Sequence, residues 1–220
     1  MQGGTWISFE GIEGTGKSTQ IERLAERLRA RGDSVVLTRE PGGTDLGREL
    51  RELLLRPAPR PMHPMTELLL YVADRAQHLV EVVQPALERG DVVLCDRSVD
   101  ATLAYQGYAR GLGVDCVLEL HRRPPLDRRP TRTVLLDMDP ATALARARRR
   151  NAGQGLDETE GRFERELLEF HRRVRAGYLE LAAAEPDRYR VVPGEGEPGA
   201  VEERITRALA DLLFPGESGK

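Results

Sequence analysis

The sequence predicts an α/β fold in which a parallel sheet is covered by helices on both faces. Three observations lead there. Short apolar strand patterns alternate with helical ones along the whole chain. The strand patterns SVVLT, DVVLC and TVLLDM are almost continuously apolar, as strands buried on both faces must be. The first strand runs into GIEGTGKS (11–18), which fits G-x-x-x-x-G-K-[ST], and then into a helix. The 220 residues suit one domain, set at 1–214 with a short tail at 215–220.

Each element has its own warrant. Thr5–Glu10 (TWISFE) has the β-branched and aromatic content of a short buried strand. The helix after the glycine-rich loop carries Ile21, Leu24 and Leu28 at helical spacing and ends at Gly32. Ser34–Thr38 is the second strand. Leu46–Arg56 is helical and stops at the proline-rich 57–64. Thr66–Arg89 is a long helical pattern that Pro85 should kink or divide. Asp91–Cys95 is a strand, Arg97–Gln106 a helix, and GYARGLG (107–113) a turn-rich loop. Val114–Arg122 is a short helix before the basic linker 122–130. Thr133–Met138 is a strand, Pro140–Arg150 a very basic helix, and 151–161 a polar, mobile segment. Arg162–Glu185 is helical, Tyr189–Val192 the last strand, and Gly199–Leu213 the last helix.

Composition narrows the function. Net charge is −3, which excludes a nucleic-acid-sized basic surface. No apolar run approaches the ~18 residues of a membrane span, and no leader pattern is evident, so a cytoplasmic protein is expected. Two cysteines do not make a disulfide scaffold, and Cys95, at a strand end, reads as a small core residue. The histidines (63, 78, 121, 171) have no metal-ligand spacing and read as surface or core residues. Only two of the 33 Lys and Arg residues are lysines, Lys17 and Lys220. A chain that writes nearly every cation as Arg keeps its interior Lys in the glycine-rich loop, where a compact ammonium suits phosphate oxygens.

That loop is a P-loop. Gly11, Gly14 and Gly16 let the backbone turn its N–H groups inward, and the helix N-terminus adds positive partial charge. Lys17 reaches β/γ-phosphates, Ser18 can ligate Mg²⁺, and Thr15 and Thr19 complete the nucleotide-binding set, for ATP by the resemblance given below. Ligands of a parallel sheet gather beyond the carboxyl ends of its strands. There stand REPGGT (39–44) and Asp96-Arg97-Ser98. Asp96 occupies a Walker-B-like position for organising a metal, and Arg97 offers a bidentate fork to a phosphate. REPGGT alone reads equally as a turn. Tyr71 and Arg75 share a helix face. They fit a nucleobase platform, although spacing alone favours a core Tyr and a solvated Arg. Arg146, Arg149 and Arg150 form either a solvated face or a lid that closes over a transferring phosphoryl group.

Taken together, these motifs resemble bacterial thymidylate kinase. The matching pieces are FEGIEGTGKST (9–19), TREPGGT (38–44), YVADRAQHLVEVVQPAL (71–87), VVLCDRSVDATLAYQGYARGLG (92–113), LLDMDP (135–140) and LDETEGRFE (156–164). The resemblance implies a P-loop nucleoside monophosphate kinase-like three-layer fold, with a five-stranded parallel sheet, a lid at about 146–161 and a homodimer. It implies Mg²⁺-dependent transfer of phosphate from ATP to dTMP in dTTP biosynthesis. By similarity, Arg97 and Arg51 grip the dTMP phosphate and Tyr71 stacks on thymine. Arg75 and Thr102 bond the polar edge of the base, and Pro41 shapes its pocket. Tyr105 stands near the sugar 2′ position with Gln106 on the same wall, and Glu13 holds the sugar or the metal waters. Some members carry a basic residue where this chain has Gly14. Those without it take a lid arginine, here Arg149 or Arg150.

The chain departs from the family pattern at Ser98, where an aromatic is frequent, and at Ala101, where Ser is usual. It also departs in the basic, proline-rich 121–132. Three alternatives remain. A deoxynucleoside kinase would phosphorylate thymidine, and Asp96-Arg97-Ser98 is similar to its acid-Arg-Ser motif; Arg51 and REPGGT favour a phosphorylated acceptor instead. A kinase for adenylate or cytidylate would not need Tyr71, Arg75, Thr102 and Tyr105 together. A non-enzymatic P-loop switch would need no acceptor pocket.

Overall fold

The computed structural model describes residues 3–58, 60–154, 162–163 and 166–214. Five parallel strands form one sheet: β1 (Thr5–Glu10), β2 (Val35–Arg39), β3 (Val92–Asp96), β4 (Arg132–Asp137) and β5 (Tyr189–Pro193). Their order is β2-β3-β1-β4-β5. The register brings the carboxyl ends level, because Asp96 pairs with Phe9 on one side and Arg39 on the other. The segments after β1, β2 and β3 therefore leave the same edge as neighbours.

Alternation along the strands feeds two cores. Ile7, Phe9, Leu94, Val134 and Leu136 point to α1 (Lys17–Ala30) and α9 (Pro198–Ala208), where the predicted stripe Ile21, Leu24, Leu28 is buried with Val201 and Ile205. Trp6, Val93 and Cys95 point the other way, onto Leu79, Val83 and Ala86. Leu135 joins Leu103, Tyr105, Val174 and Tyr178 on that second side. The helices α2 (Asp45–Leu55), α3 (Pro64–His78), α4 (Gln84–Glu88), α5 (Val99–Thr102), α6 (Val114–Leu120), α7 (Pro140–Gln154) and α8 (Leu168–Ala184), with α10 (Ala210–Leu213) after α9, complete the three layers.

Five elements differ from expectation, the simplest being the last helix, expected over Gly199–Leu213, which divides at Leu209 into α9 and α10. The long 66–89 pattern divides through a π-helical turn, Leu79–Val83, in which the Gln84 N–H reaches back to Leu79 O. The widened turn lies just before Pro85, which has no N–H to continue an α ladder. A second π segment, Leu103–Ala109, takes the end of the helix expected over Arg97–Gln106 and the start of the loop expected over 107–113, because packing against α8 outweighs the local glycine signal. Helix α7 continues through Gln154, since Ala143, Ala147 and Asn151 extend one buried face. Helix α8 begins at Leu168 and not Arg162, because Phe163 is drawn out of the helical pattern into the cluster around Tyr105. Residues 155–161 of the expected lid and 215–220 of the expected tail lie outside the described residues. Among the described residues no helix is long and apolar enough to cross a membrane.

Candidate active site

The loop between β1 and α1 is shaped for phosphate. Gly14 has φ +83°, and a Cβ there would overlap the Ala143 carbonyl of α7, so the loop and that helix pack backbone to backbone. Thr15 Oγ1 donates to Ile12 O at 3.0 Å and braces the turn from inside. Gly16 caps α1 without a side-chain hydrogen bond, so no side chain competes with an anion for the helix N-terminus. Lys17 Nζ donates to Gly11 O and Ile12 O, each at 3.1 Å. Burial, helped by nearby Arg97, pulls its pKa down to about 8. Ser18 Oγ donates to Asp96 Oδ2 at 3.2 Å, whereas Asp96 Oδ1 is buried without a partner among the described residues. A hydroxyl beside a carboxylate with a spare oxygen suits hydrated Mg²⁺.

Arg97 joins this loop to a second pocket. Its φ is +76°, a left-handed conformation that costs a non-glycine residue roughly 1–2 kcal/mol. Its backbone N–H donates to Phe9 O at 3.0 Å and its side chain is held at three points. Nη2 donates to Glu13 Oε1 at 2.7 Å and to Tyr105 Oη at 3.2 Å, and Nη1 donates to Tyr178 Oη at 3.3 Å. The guanidinium also lies 4.9 Å from the centre of the Tyr105 ring. Burial alone would raise the pKa of Glu13, but Arg97, His171 and Lys17 outweigh it and hold the carboxyl below the usual range.

Below Arg97 lies a buried carboxyl that the motif reading did not use. Glu10 accepts from Ser8 Oγ at 2.8 Å, Ser98 Oγ at 3.0 Å and Tyr178 Oη at 2.7 Å. Burial, with the nearby Asp100 charge, raises its pKa to about 7. Ser98, one of the departures from the family pattern, thus caps α5 and bonds Glu10.

Both pockets share one cleft of about 540 Å³. On the acceptor side its wall includes Pro41, Arg51, Tyr71, Arg75, Thr102, Tyr105, Gln106 and Phe163. Arg51 Nη1 donates to Pro41 O at 3.1 Å, which ties α2 to the loop after β2. Gln106 Nε2 donates to buried Glu67 at 2.6 Å. Arg75 is not solvated, as its spacing alone would suggest. It is 1% exposed and its Nε donates to Glu40 Oε2 at 2.7 Å. A burial of that depth requires a paired charge. Glu40, the acid of REPGGT, is held below the usual carboxylate range although burial opposes this, because Arg75 and His78 stabilise its charge. Glu40, His78 and Cys95 bring their ligand-type atoms within 4.8 Å of one another. Both Glu40 oxygens are already bonded, to Arg75 and to His78 Nδ1, so the trio is a structural core group and not a metal centre.

Residues 9–205 match the family model described as thymidylate kinase. The chain belongs to the thymidylate kinase family. It is 51% identical to a thymidylate kinase from Solidesulfovibrio magneticus, over 94% of this chain and 100% of the relative. It is 51% identical to one from Syntrophotalea carbinolica, over 96% of this chain and 98% of the relative. The crystal structure of thymidylate kinase from Ehrlichia chaffeensis superposes with a TM-score of 0.75 at 32% identity, covering 94% of this chain and 99% of that one. The three-layer P-loop fold and the phosphotransferase class expected from the motifs stand on these matches.

Arg146, Arg149 and Arg150 are all exposed, but Arg146 and Arg150, one turn apart on α7, line the cleft and Arg149 is outside its wall. Arg150 Nε and Nη2 donate to buried Asn151 Oδ1 at 3.1 and 2.9 Å. Glu10, Asn151, Phe163, Tyr178 and three of the four histidines escaped the motif reading. Only Glu10, an acid at the carboxyl end of a buried strand, carried a signal that could have been read. The others are polar or aromatic residues on or beside helices, and nothing in their spacing distinguishes them from surface or core.

Proposed function

We propose that this chain transfers the γ-phosphate of ATP to dTMP, giving dTDP and ADP, with Mg²⁺, as a cytoplasmic homodimer. The observation that carries the reading is the shared cleft: the P-loop and a base-and-sugar pocket open into one space, and Arg97 bonds residues of both. A switch protein would need only the first half.

In this reading the P-loop amides and Lys17 hold the donor phosphates. Ser18 and Asp96 would hold Mg²⁺, which supplies neutralisation of charge on the β- and γ-oxygens. Arg97 and Arg51 grip the dTMP phosphate and set one oxygen in line with the γ-phosphorus. No general base is required, because the monophosphate is ionised near neutral pH. Arg150, with Arg146 beside it, faces the cleft from α7 and stabilises the equatorial oxygens as charge spreads, with 146–161 as the lid. Tyr71 stacks on the base, Arg75 and Thr102 bond its polar edge, and Tyr105 excludes a ribose hydroxyl. Glu13, by fixing Arg97 and Tyr105 together, aligns phosphate and sugar. Catalysis is then positioning and electrostatics.

The test is the rate of ADP release from Mg·ATP with dTMP, dUMP, thymidine, AMP or CMP added singly. Stimulation by dTMP above the others is expected. Stimulation by thymidine alone would make the protein a nucleoside kinase, and indifference to every acceptor would make it a nucleotide switch.

A further inference from the structure

The start of the basic, proline-rich segment 121–132 carries an unassigned contact into the cleft. His121 closes α6, at the head of the basic, proline-rich run, and is 8% exposed. Its Nδ1 lies 2.7 Å from Val117 O, an atom that can only accept, so Nδ1 carries the proton. Nε2 is then a lone-pair acceptor, and it lies 3.1 Å from Arg75 Nη1, which can only donate. One tautomer satisfies both bonds. Burial and the adjacent Arg75 charge lower the His121 pKa to about 4, so that tautomer persists at neutral pH.

Arg75 is therefore gripped from two sides of the fold. Glu40, from the loop after β2, fixes Nε at 2.7 Å, and His121, from the end of α6, fixes Nη1. Glu40 is itself held by His78 Nδ1 at 2.8 Å, and His78 Nε2 lies 2.7 Å from Thr38 Oγ1. A guanidinium held at Nε alone can still swing about that bond. A second fixed point in its plane sets the direction of the remaining N–H groups, and Arg75 lines the cleft.

We propose that His121 is a positioning residue for base recognition: by accepting from Arg75 Nη1 it sets the orientation in which Arg75 meets the carbonyl edge of the acceptor pyrimidine. This rests on the thymidylate kinase reading, with Arg75 as the base-reading group. The prediction is specific in its kinetics. Loss of the acceptor frees Arg75 to rotate and leaves a buried donor unsatisfied, so the ground-state fit of the base suffers while the phosphate machinery around Arg97 and Lys17 does not.

The experiment compares His121→Met and His121→Phe, which fill the space without an acceptor, with His121→Gln, which restores one. Wild type is assayed first, because absent dTMP-stimulated turnover there would refute the kinase reading itself, whatever the variants do. With wild type active, KM for dTMP should rise roughly 10-fold in the Met and Phe variants. The preference for dTMP over dCMP should fall, while KM for ATP stays unchanged and Gln recovers most of the loss. Either acceptor-free variant decides the matter if the other does not fold. An unchanged KM for dTMP and an unchanged dTMP:dCMP preference in a folded variant, with only a lowered Tm, would reduce His121 to a structural residue and overturn the proposal. So would equal losses with Gln and Met.

Discussion

Arg97 and Glu13 form a 2.7 Å ion pair across the floor of the cleft, and Tyr105 Oη contacts both partners. The pair binds the P-loop to the strand end after β3. Whatever Arg97 grips is thereby placed at a fixed distance from the nucleotide held by the loop. Arg97→Ala should lower kcat on the order of 100- to 1,000-fold, as removal of one preorganised donor does, with the far-ultraviolet circular dichroism unchanged. Near-normal turnover in that variant would remove Arg97 from the phosphate clamp.

Lys17 makes nucleotide binding depend on pH. Free Lys17, with its pKa pulled down to about 8, loses its proton as pH rises through that value. Phosphate oxygens favour the ammonium, so the bound form has the higher pKa and binding takes up a proton above pH 8. ATP affinity should therefore fall by up to about tenfold per pH unit in that range. Calorimetry at about pH 9 in two buffers of different ionisation heat should give enthalpies that differ by the proton taken up. Identical corrected and uncorrected enthalpies would refute the shift.

Glu10 should govern stability in the opposite direction from an ordinary salt-bridged acid. Its folded pKa is raised to about 7, above the value of the unfolded chain. Between the two values folding takes up a proton, so stability from this group falls as pH rises toward 7 and then levels. Glu10→Gln should gain stability relative to wild type between about pH 5 and pH 8 in urea titrations. A difference independent of pH would place the Glu10 pKa in the normal range.

Two arginines on α7 should separate cleanly. Arg150 lines the cleft and Arg149 does not. Arg150→Ala should reduce kcat at least about tenfold, whereas Arg149→Ala should stay close to wild type. The reverse order would show that the catalytic approach of this helix differs from the arrangement described.

Tyr105 is packed edge-on against Phe163, with ring centroids 5.4 Å apart, and its hydroxyl is tied to Glu13. It cannot retreat from an added hydroxyl on the sugar. Tyr105→Leu should narrow the preference for dTMP over the ribonucleotide, measured as a ratio of kcat/KM values. An unaltered ratio would assign sugar discrimination elsewhere.

Much of this was legible because local chemistry and global fold agree. The apolar strands, the glycine loop and the stripe of Ile21, Leu24 and Leu28 each state their element without help from the rest of the chain. The acceptor side was less legible. Tyr71 and Arg75 gain meaning only when Glu40, 35 positions away, is brought against Arg75. The burial of Arg75 is a tertiary fact, since helical spacing assigns a face and not a depth. The π turns were invisible for a related reason. Leu79–Val83 has helical composition and Leu103–Ala109 runs through Gly107 into a loop pattern, and only packing and the missing Pro85 N–H set where the ladder widens. His121 carried no spacing signal, because its partners are Arg75 and a backbone carbonyl on its own helix.

The most direct test of the central claim follows the phosphorus itself. ATP labelled at the γ-position is incubated with the protein, Mg²⁺ and dTMP, and the products are separated. The shared cleft and the Arg97 clamp predict label in the terminal phosphate of dTDP, formed in step with ADP. Label released only as inorganic phosphate, at a rate indifferent to dTMP, would contradict the account.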